Sequence, residues 1–394
     1  MTEPLTTSEW RNYKFSDILD NESISYGIVQ PGEHTEIGSV PVVRVNNIKD
    51  GHILTDDVLK VSSEIEQKYR RTRLAGGELL ITVVGTVGEC AIVPAALSGW
   101  NVARAVSVAR IKAAFDKRFI KYCFKSEDLK FQMYGNTNDT VQATLNLSSL
   151  KNLILRIPPR RNQEAIASVL GGIDDKIDLL QRQNKTLEAM AEALFRHWFV
   201  EGEATSWEER PLSGIANFLN GLACQKYPPA NELDKLPVLK IRELISGITE
   251  TSDWATSQVK PEYLVEADDV IFAWSATLMV KLWDGAKCVL NQHLFKVTSK
   301  DFPKWFYLMW CKHHLAEFIA ISSSHATTMG HIKRGDLDAV RVLVPPPPVL
   351  ETMSAQMTPL LEKQIENNRQ RKTLERLRDD LLPKLMSGEV RVAY

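Results

Sequence analysis

The sequence predicts an α+β protein: two tandem mixed α/β domains separated by two long antiparallel coiled-coil helices, related by a pseudo-twofold internal repeat. Three observations predict it. The chain repeats itself at a long period, short Val- and Ile-rich runs recur in both copies, and a heptad pattern closes each copy.

The repeat is clearest near its ends. Ile157-Pro158-Pro159 falls on Val344-Pro345-Pro346, a spacing of 187 positions, and RQNKTLE (182–188) falls on RQRKTLE (369–375) at the same spacing. Upstream, 40–51 matches 236–247 at a spacing of 196, and 77–86 matches 268–277 at 191. Thr140 and Leu150 match Thr327 and Leu337, back at 187. Drift of this kind puts insertions and deletions in loops between matched strands. A period this long marks a domain duplication, not a solenoid. Two similar domains on one chain suit a ligand with two similar sites.

The first domain is expected over 1–159. PVVRV, ELLITVV, CAIVP and VSVARI read as strands bounded by Gly, Pro or charge, and Phe115 to Met133 reads as a helix. Residues 160–202 form the first long helix. Proline suits the first turn that follows the junction. Ile166, Ile173, Leu180, Leu187 and Leu194 are spaced by seven, with Leu170, Ile177, Asn184, Ala191 and Trp198 as the second track, and Gly202 is placed to stop the helix. The second domain, 203–346, repeats the strands as PVLKI, DVIFAW, KCVL and LFKVT, and the helix as Phe302 to Ile321. The aromatics Trp305, Phe306 and Trp310 of that helix read as core. The second long helix, 347–394, offers Met353, Leu360, Leu374 and Leu381 beside Met357, Leu361, Leu377 and Leu385. Asn184 and Arg371 interrupt the seam at positions that would fix register. About 40 helical residues span roughly 60 Å. Two such helices most simply pack on each other and hold the domains apart. The surface assigned to helix pairing or to a docked partner is Ile173, Ile177, Leu180, Leu187, Leu194, Phe195, Trp198, Leu360, Leu374, Leu377, Leu381 and Leu385. For Phe195 and Trp198 the plainer role is packing on the adjacent domain.

If the ligand is a nucleic acid, polar side chains on loops are the candidates for reading base edges. Lys68, Arg70, Arg71 and Arg73 form a basic cluster that serves equally well as a solvated face. Thr86 sits in the tight loop Gly85-Thr86-Val87-Gly88, whose glycines first serve turn geometry. The run 135–146 offers Asn136, Asn138, Gln142 and Thr144. Its counterpart at 322–334 offers Ser323, Ser324, His325, Thr327, Thr328, His331, Lys333 and Arg334. The two runs hold one register position in the repeat and differ in sequence, as two readers with different targets would. A plain connecting loop running into a helix cap accounts for them as well.

Composition bounds the rest. With 48 basic and 49 acidic residues the net charge is −1. A free-standing DNA binder usually carries a basic excess, so the balance either counts against simple high-affinity DNA binding or points to partners that supply much of the phosphate grip. The five cysteines, Cys90, Cys123, Cys224, Cys288 and Cys311, are scattered without CxxC spacing, so buried free thiols are expected and no zinc site. No signal core and no long apolar run occurs, which points to the cytoplasm and away from membranes.

The segment IPPRRNQEAIASVLGGIDDKIDLLQRQNKTLEAMAEALFRHWFV strongly resembles the central conserved region of type I restriction–modification specificity (S) subunits. RKTLERLRDDLLPKLMSGEVRV resembles their distal conserved region, and the layout covers essentially the whole chain. The resemblance implies that the domains are target-recognition domains, each reading one half of a bipartite sequence in double-stranded DNA. It implies that the helices set the unread gap and dock two modification (M) subunits, which bind S-adenosylmethionine and methylate adenine. Restriction (R) subunits would complete an ATP-dependent nuclease. No cofactor is expected in this chain; S-adenosylmethionine, ATP and Mg belong to the partners. No catalytic residue and no base-contacting residue is carried over by the resemblance.

Two other readings stand beside it. A fused reader of a methyltransferase or nuclease should carry an Asn/Asp-Pro-Pro-aromatic motif and a Gly-rich loop; neither Pro-Pro pair is followed by an aromatic, and GxGxxG and Walker motifs are missing. Asp174-Asp175 and Asp268-Asp269 lack a partner lysine motif for nuclease chemistry. A coiled-coil scaffold explains the heptads and the charge balance, but not two domains that share a frame and differ in their polar loops.

Overall fold

A computed structural model describes residues 9–32, 38–135, 144–202, 207–324 and 330–392. The chain divides into two compact units, Met1–Ile177 with Leu374–Tyr394, and Asp178–Thr373. Each unit therefore gathers one globular half, a stretch of the central helix (Arg160–Phe199) and a stretch of the C-terminal helix (Pro347–Ser387).

In the first unit the half is closed by its own ends. Arg11–Lys14 pairs antiparallel with Ile154–Ile157, so the chain enters and leaves side by side. Between them lies a four-stranded antiparallel sheet in the order Leu19–Tyr26, Val106–Ile111, Leu79–Thr82, Cys90–Ile92. A second sheet orders Leu59–Ser62, Ser39–Val43 and Asn101–Val102, the last pair running parallel. Leu79, Ile81, Phe119, Tyr122 and Phe124 meet Ile166, Ala167 and Leu170 of the central helix and Leu385 of the C-terminal helix in one core. Burying each such side chain contributes about 1.5–3 kcal/mol.

The second unit repeats the plan. Glu208–Pro211 pairs with Arg341–Val344, and a four-stranded sheet orders Asn217–Asn220, Leu294–Thr298, Val270–Ala273 and Met279–Leu282. The other sheet orders Trp254–Thr256, Lys235–Leu239, Cys288–Leu290 and Leu264–Val265, with the same single parallel pairing. All eight expected strands form in the two halves. The strand Leu19–Tyr26 (LDNESISY) was not expected from its pattern, because it is too polar to read as one.

Each expected globular helix is two. Lys117–Lys125, capped by the Asp116 carboxylate on the Phe119 N–H at 2.9 Å, stops at Ser126, and Glu127–Gly135 follows. The Ser126 backbone is extended, and its hydroxyl donates back to the Cys123 carbonyl at 2.6 Å. Lys304–His313 and Leu315–Ser324 break likewise at His314. Apolar periodicity continues through both breaks and so hides them.

Trp305, Phe306 and Trp310 are buried, as expected of core. Phe195 and Phe199 of the central helix pack on Trp310, with centroids 5.0 and 5.2 Å away, and Trp198 lies 6.3 Å from Trp305. Phe195 is thus buried in its own domain's core. In the same unit the helices run antiparallel. Asn184 meets Asn367 and Asn368, while Ala191, two turns onward, shares a small cavity with Met357 and Leu361, earlier in the C-terminal helix. One seam assignment needs correction: Leu377 is 45% exposed, because the partly buried line passes through Leu374, Arg378 and Leu381. Arg371 reaches the Asp284 carboxylate of the globular half.

Candidate nucleic-acid interface

The tight loop after Leu79–Thr82 has the geometry its glycines suggest. Gly85 and Gly88 take φ of 78° and 89°, a region L side chains avoid. The Gly88 N–H donates to the Thr82 carbonyl at 2.9 Å, and the Thr82 hydroxyl donates to the Thr86 carbonyl. Thr86 is left exposed at the tip.

This loop is the middle rung of a backbone ladder. The Val83 N–H donates to the Ala105 carbonyl at 2.9 Å, and the Leu145 N–H donates to the Val83 carbonyl at 2.9 Å. Thr144 pairs with Val84 in an isolated antiparallel bridge. Three segments distant in sequence therefore lie side by side: the turn 103–105, the Gly-Thr loop, and the end of the polar run.

The second unit builds the same ladder. Trp274 donates to the His293 carbonyl at 3.4 Å, Ile332 donates to the Trp274 carbonyl at 3.0 Å, and His331 pairs with Ser275. Every partner sits at its repeat-equivalent position. The side chains do not match. Val83, Val84 and Thr144 in one unit stand where Trp274, Ser275 and His331 stand in the other. Trp274 stacks on Phe295, meets His331 edge-on, and donates from its indole to Asn220 at 3.0 Å.

The ladder thus gathers Thr86 with Thr144, and places His331 on the equivalent rung. Asn136, Asn138, Gln142, His325, Thr327 and Thr328 lie outside the described residues. Ser323 donates to the Ile319 carbonyl at 2.8 Å on the helix Leu315–Ser324, which Ser324 ends. Lys333 and Arg334 open the short helix Arg334–Ala339; both are exposed, and the Arg334 guanidinium donates to the Phe218 carbonyl at 3.3 Å. The basic cluster splits by role. Lys68, Arg70 and Arg71 are exposed at the end of Ser63–Lys68 and in the turn after it. Arg73 is held by the buried Glu66, its Nε donating to Oε1 at 2.8 Å. That hydrogen bond, with a second from Asn101, holds the Glu66 carboxyl below its ordinary pKa despite its burial. Arg73 therefore serves the fold.

The turns 103–105 and 291–293 carried no motif. What marks them is their backbone. The Arg104 N–H donates to the Ile28 carbonyl at 2.9 Å, and the Gln292 N–H donates to the Leu222 carbonyl at 2.8 Å, again at equivalent positions. Beside each turn a glycine admits the close approach. A Cβ on Gly27 would lie 2.0 Å from the Val102 oxygen, and one on Gly221 would lie 2.2 Å from the Asn291 oxygen.

All five cysteines are free and buried. Burial pushes the Cys90 thiol up to about 12 and the Cys224 thiol up to about 11. Among the described residues no group of three or more His, Cys, Asp or Glu is placed to hold a metal, and no helix is long and apolar enough to cross a membrane.

One backbone frame, built twice and dressed with different side chains, defines a duplicated recognition protein. The chain belongs to the type I restriction modification DNA specificity domain family, whose model matches residues 7–189 and 205–376. It is 26% identical over 298 residues to the type I restriction enzyme MjaIX specificity subunit of Methanocaldococcus jannaschii, covering 70% of this chain and 69% of that protein. It is 27% identical over 183 residues to the EcoBI specificity subunit of Escherichia coli, covering 45% of this chain and 38% of that one. The fold is shared with the type I restriction–modification S subunit from M. genitalium, with a TM-score of 0.58, 13% identity, and coverage of 95% and 96% of the two chains.

Proposed function

We propose that this specificity subunit reads a bipartite sequence in double-stranded DNA, one half-site per globular half, at the two backbone ladders. The observation that carries the reading is that both ladders keep every backbone partner while Val83, Val84 and Thr144 give way to Trp274, Ser275 and His331. A conserved frame with exchanged side chains suits two readers of different sequences. The long helices, continuous over Arg160–Phe199 and Pro347–Ser387, set the gap between half-sites and dock two M subunits, with Leu377 among the side chains still turned outward. Through the M subunits the chain recruits R subunits. It performs no bond-making step itself: the partners bring S-adenosylmethionine, ATP and Mg, and methylation and cleavage are theirs. Its place is the cytoplasm, with the DNA.

The test is an exchange of halves. The chain is coexpressed with its M partner, and the methylated sequence is read by methylation sequencing. Replacing 9–157 with the corresponding half of another specificity subunit should change one half-site and keep the other. An unchanged methylated sequence would sink the reading.

A further inference from the structure

The tips of the two equivalent turns carry Arg104 and Gln292. We propose that these are paired specificity-determining residues, Arg104 reading a guanine in one half-site and Gln292 an adenine in the other. The proposal rests on the reading above and adds the residues and the bases.

Both positions are rigid. Arg104 lies between Ala103, whose N–H donates to the Val43 carbonyl at 2.9 Å, and Ala105, whose carbonyl takes the Val83 N–H. The Val106 N–H closes the turn on the Ala103 carbonyl at 2.9 Å. Asn291, Gln292, His293 and Leu294 repeat each of these bonds with Leu239, Leu222 and Trp274. A tip fixed at both flanks and over its own N–H loses little freedom when it meets a ligand.

The side chains suit base edges. Arg104 is exposed. Among the described residues, neighbouring arginines of this half are tied to carboxylates, Arg44 to Asp57 and Arg110 to Glu78, whereas Arg104 is not. A guanidinium fork pairs with the N7 and O6 acceptors of guanine. In the other unit the Gln292 amide nitrogen lies 3.4 Å from His293 Nε2, and His293 Nδ1 lies 3.1 Å from the Ser275 hydroxyl. The amide can only donate from nitrogen, so the ring accepts at Nε2 and donates from Nδ1 to Ser275. One amide hydrogen and the carbonyl oxygen stay available, the pair that adenine N7 and N6 require. His293 is thus a positioning residue for Gln292. The adjoining cleft, about 700 Å³ and lined by Lys240, Arg242, Trp254, Gln292 and His293, gives a groove edge room to approach.

The experiment uses the complete modification complex and duplexes substituted one base pair at a time. Arg104→Gln should lower discrimination at one guanine of one half-site about tenfold or more and leave the other half-site untouched. Gln292→Arg should do the same at one adenine of the other half-site. His293→Ala should weaken discrimination at that same adenine and nowhere else. Should Arg104→Gln weaken methylation broadly, Arg104→Lys decides, since it keeps the charge and loses the fork. In that variant a loss confined to one guanine upholds the proposal; recovery of methylation at all sites with discrimination intact would mean a phosphate contact and overturn it. Unaltered discrimination in both turn variants also overturns it, even where exchange of whole halves changes the methylated sequence. Failure of that exchange would instead remove the reading beneath it.

Discussion

The Tyr122 hydroxyl donates to the Asp174 carboxylate at 2.7 Å, joining a helix of the first globular half to the central helix. Arg378 of the C-terminal helix donates to the same carboxylate at 3.2 Å, and Lys121 stands 3.8 Å away. Asp174 is 6% exposed. The equivalent positions of the other unit are Leu308, Met309, Leu361 and Ala191, which line a small cavity together with the Lys312–Glu188 ion pair. At these four positions the frame carries ionic and polar groups in one unit and apolar side chains in the other.

Breaking the ionic set should cost more than replacing it. Asp174→Ala leaves two part-buried cations facing each other and should destabilise the first unit by about 3 kcal/mol. Asp174→Asn, which still accepts from Tyr122, should cost less. The combination Lys121→Leu, Tyr122→Met, Asp174→Leu and Arg378→Ala copies the other unit and should be within about 1 kcal/mol of the parent, or more stable. Urea unfolding measures all three. A combination as damaging as Asp174→Ala would show that the ions hold more than this contact.

The same carboxylate predicts a pH dependence. Burial alone would raise its pKa, yet the Tyr122 hydrogen bond, Lys125, Lys121 and Arg378 outweigh burial and hold it below the ordinary value. A folded pKa below the unfolded one means that the stabilisation is complete above the ordinary carboxylate range and is lost as pH falls through the lowered folded value. The stability gap between parent and Asp174→Asn should be constant from pH 6 to 8 and close only in acid. A gap that closes near neutrality would contradict the assignment.

Asp174 also shows what the sequence hides. Beside Asp175 it reads as half of an acidic pair without a partner lysine motif, and a seven-residue spacing picks Ile173 for the seam. Burial slips from Ile173 onto Asp174 and returns to the seven-residue track at Leu180. The heptads were legible because ten apolar or polar positions repeat; the slip was not, because it depends on what the globular half brings alongside. The ladder divides similarly. Thr144 and His331 could be aligned through the repeat, whereas Ala103-Arg104-Ala105 and Asn291-Gln292-His293 share no residue. Their likeness lies wholly in backbone hydrogen bonds.

Asn184 carries polar recognition into the helix seam. Its amide donates to Asn368 at 2.8 Å and accepts from Asn367 at 2.9 Å, and Asn367 is fully buried. Asn184→Leu would leave the Asn367 amide without this acceptor and should cost about 1–3 kcal/mol. Adding Asn367→Leu should recover part of that loss, since it removes the fully buried amide, while the part-buried Asn368 keeps access to water. Thermal unfolding of the single and double variants checks the order.

Gly27 and Gly221 should be the least replaceable positions beside the ladders. A methyl group at either would meet backbone oxygen, which cannot rotate away as a side chain can. Each alanine variant should cost about 1–3 kcal/mol or more. The damage should be local: Gly27→Ala should impair reading of one half-site and Gly221→Ala the other. Equal impairment of both half-sites by either variant would show that the glycines support the subunit as a whole.

Arg70, Arg71 and Arg73 are adjacent in sequence and should separate in experiment. Arg73 satisfies Glu66, which is 2% exposed, so Arg73→Ala strands a buried carboxylate and should lower the melting temperature. Arg70 and Arg71 are exposed, and their loss should leave melting unchanged. If they hold DNA phosphate, each alanine should weaken binding evenly across sequences and reduce the salt slope of affinity by about 1. The net charge of −1 makes such contacts few, so the lone chain should bind DNA weakly at moderate salt and tighten when M subunits join. Titrations at several salt concentrations, with and without the M subunits, measure both effects. A salt slope unchanged in Arg70→Ala and Arg71→Ala would place the phosphate grip elsewhere on the chain.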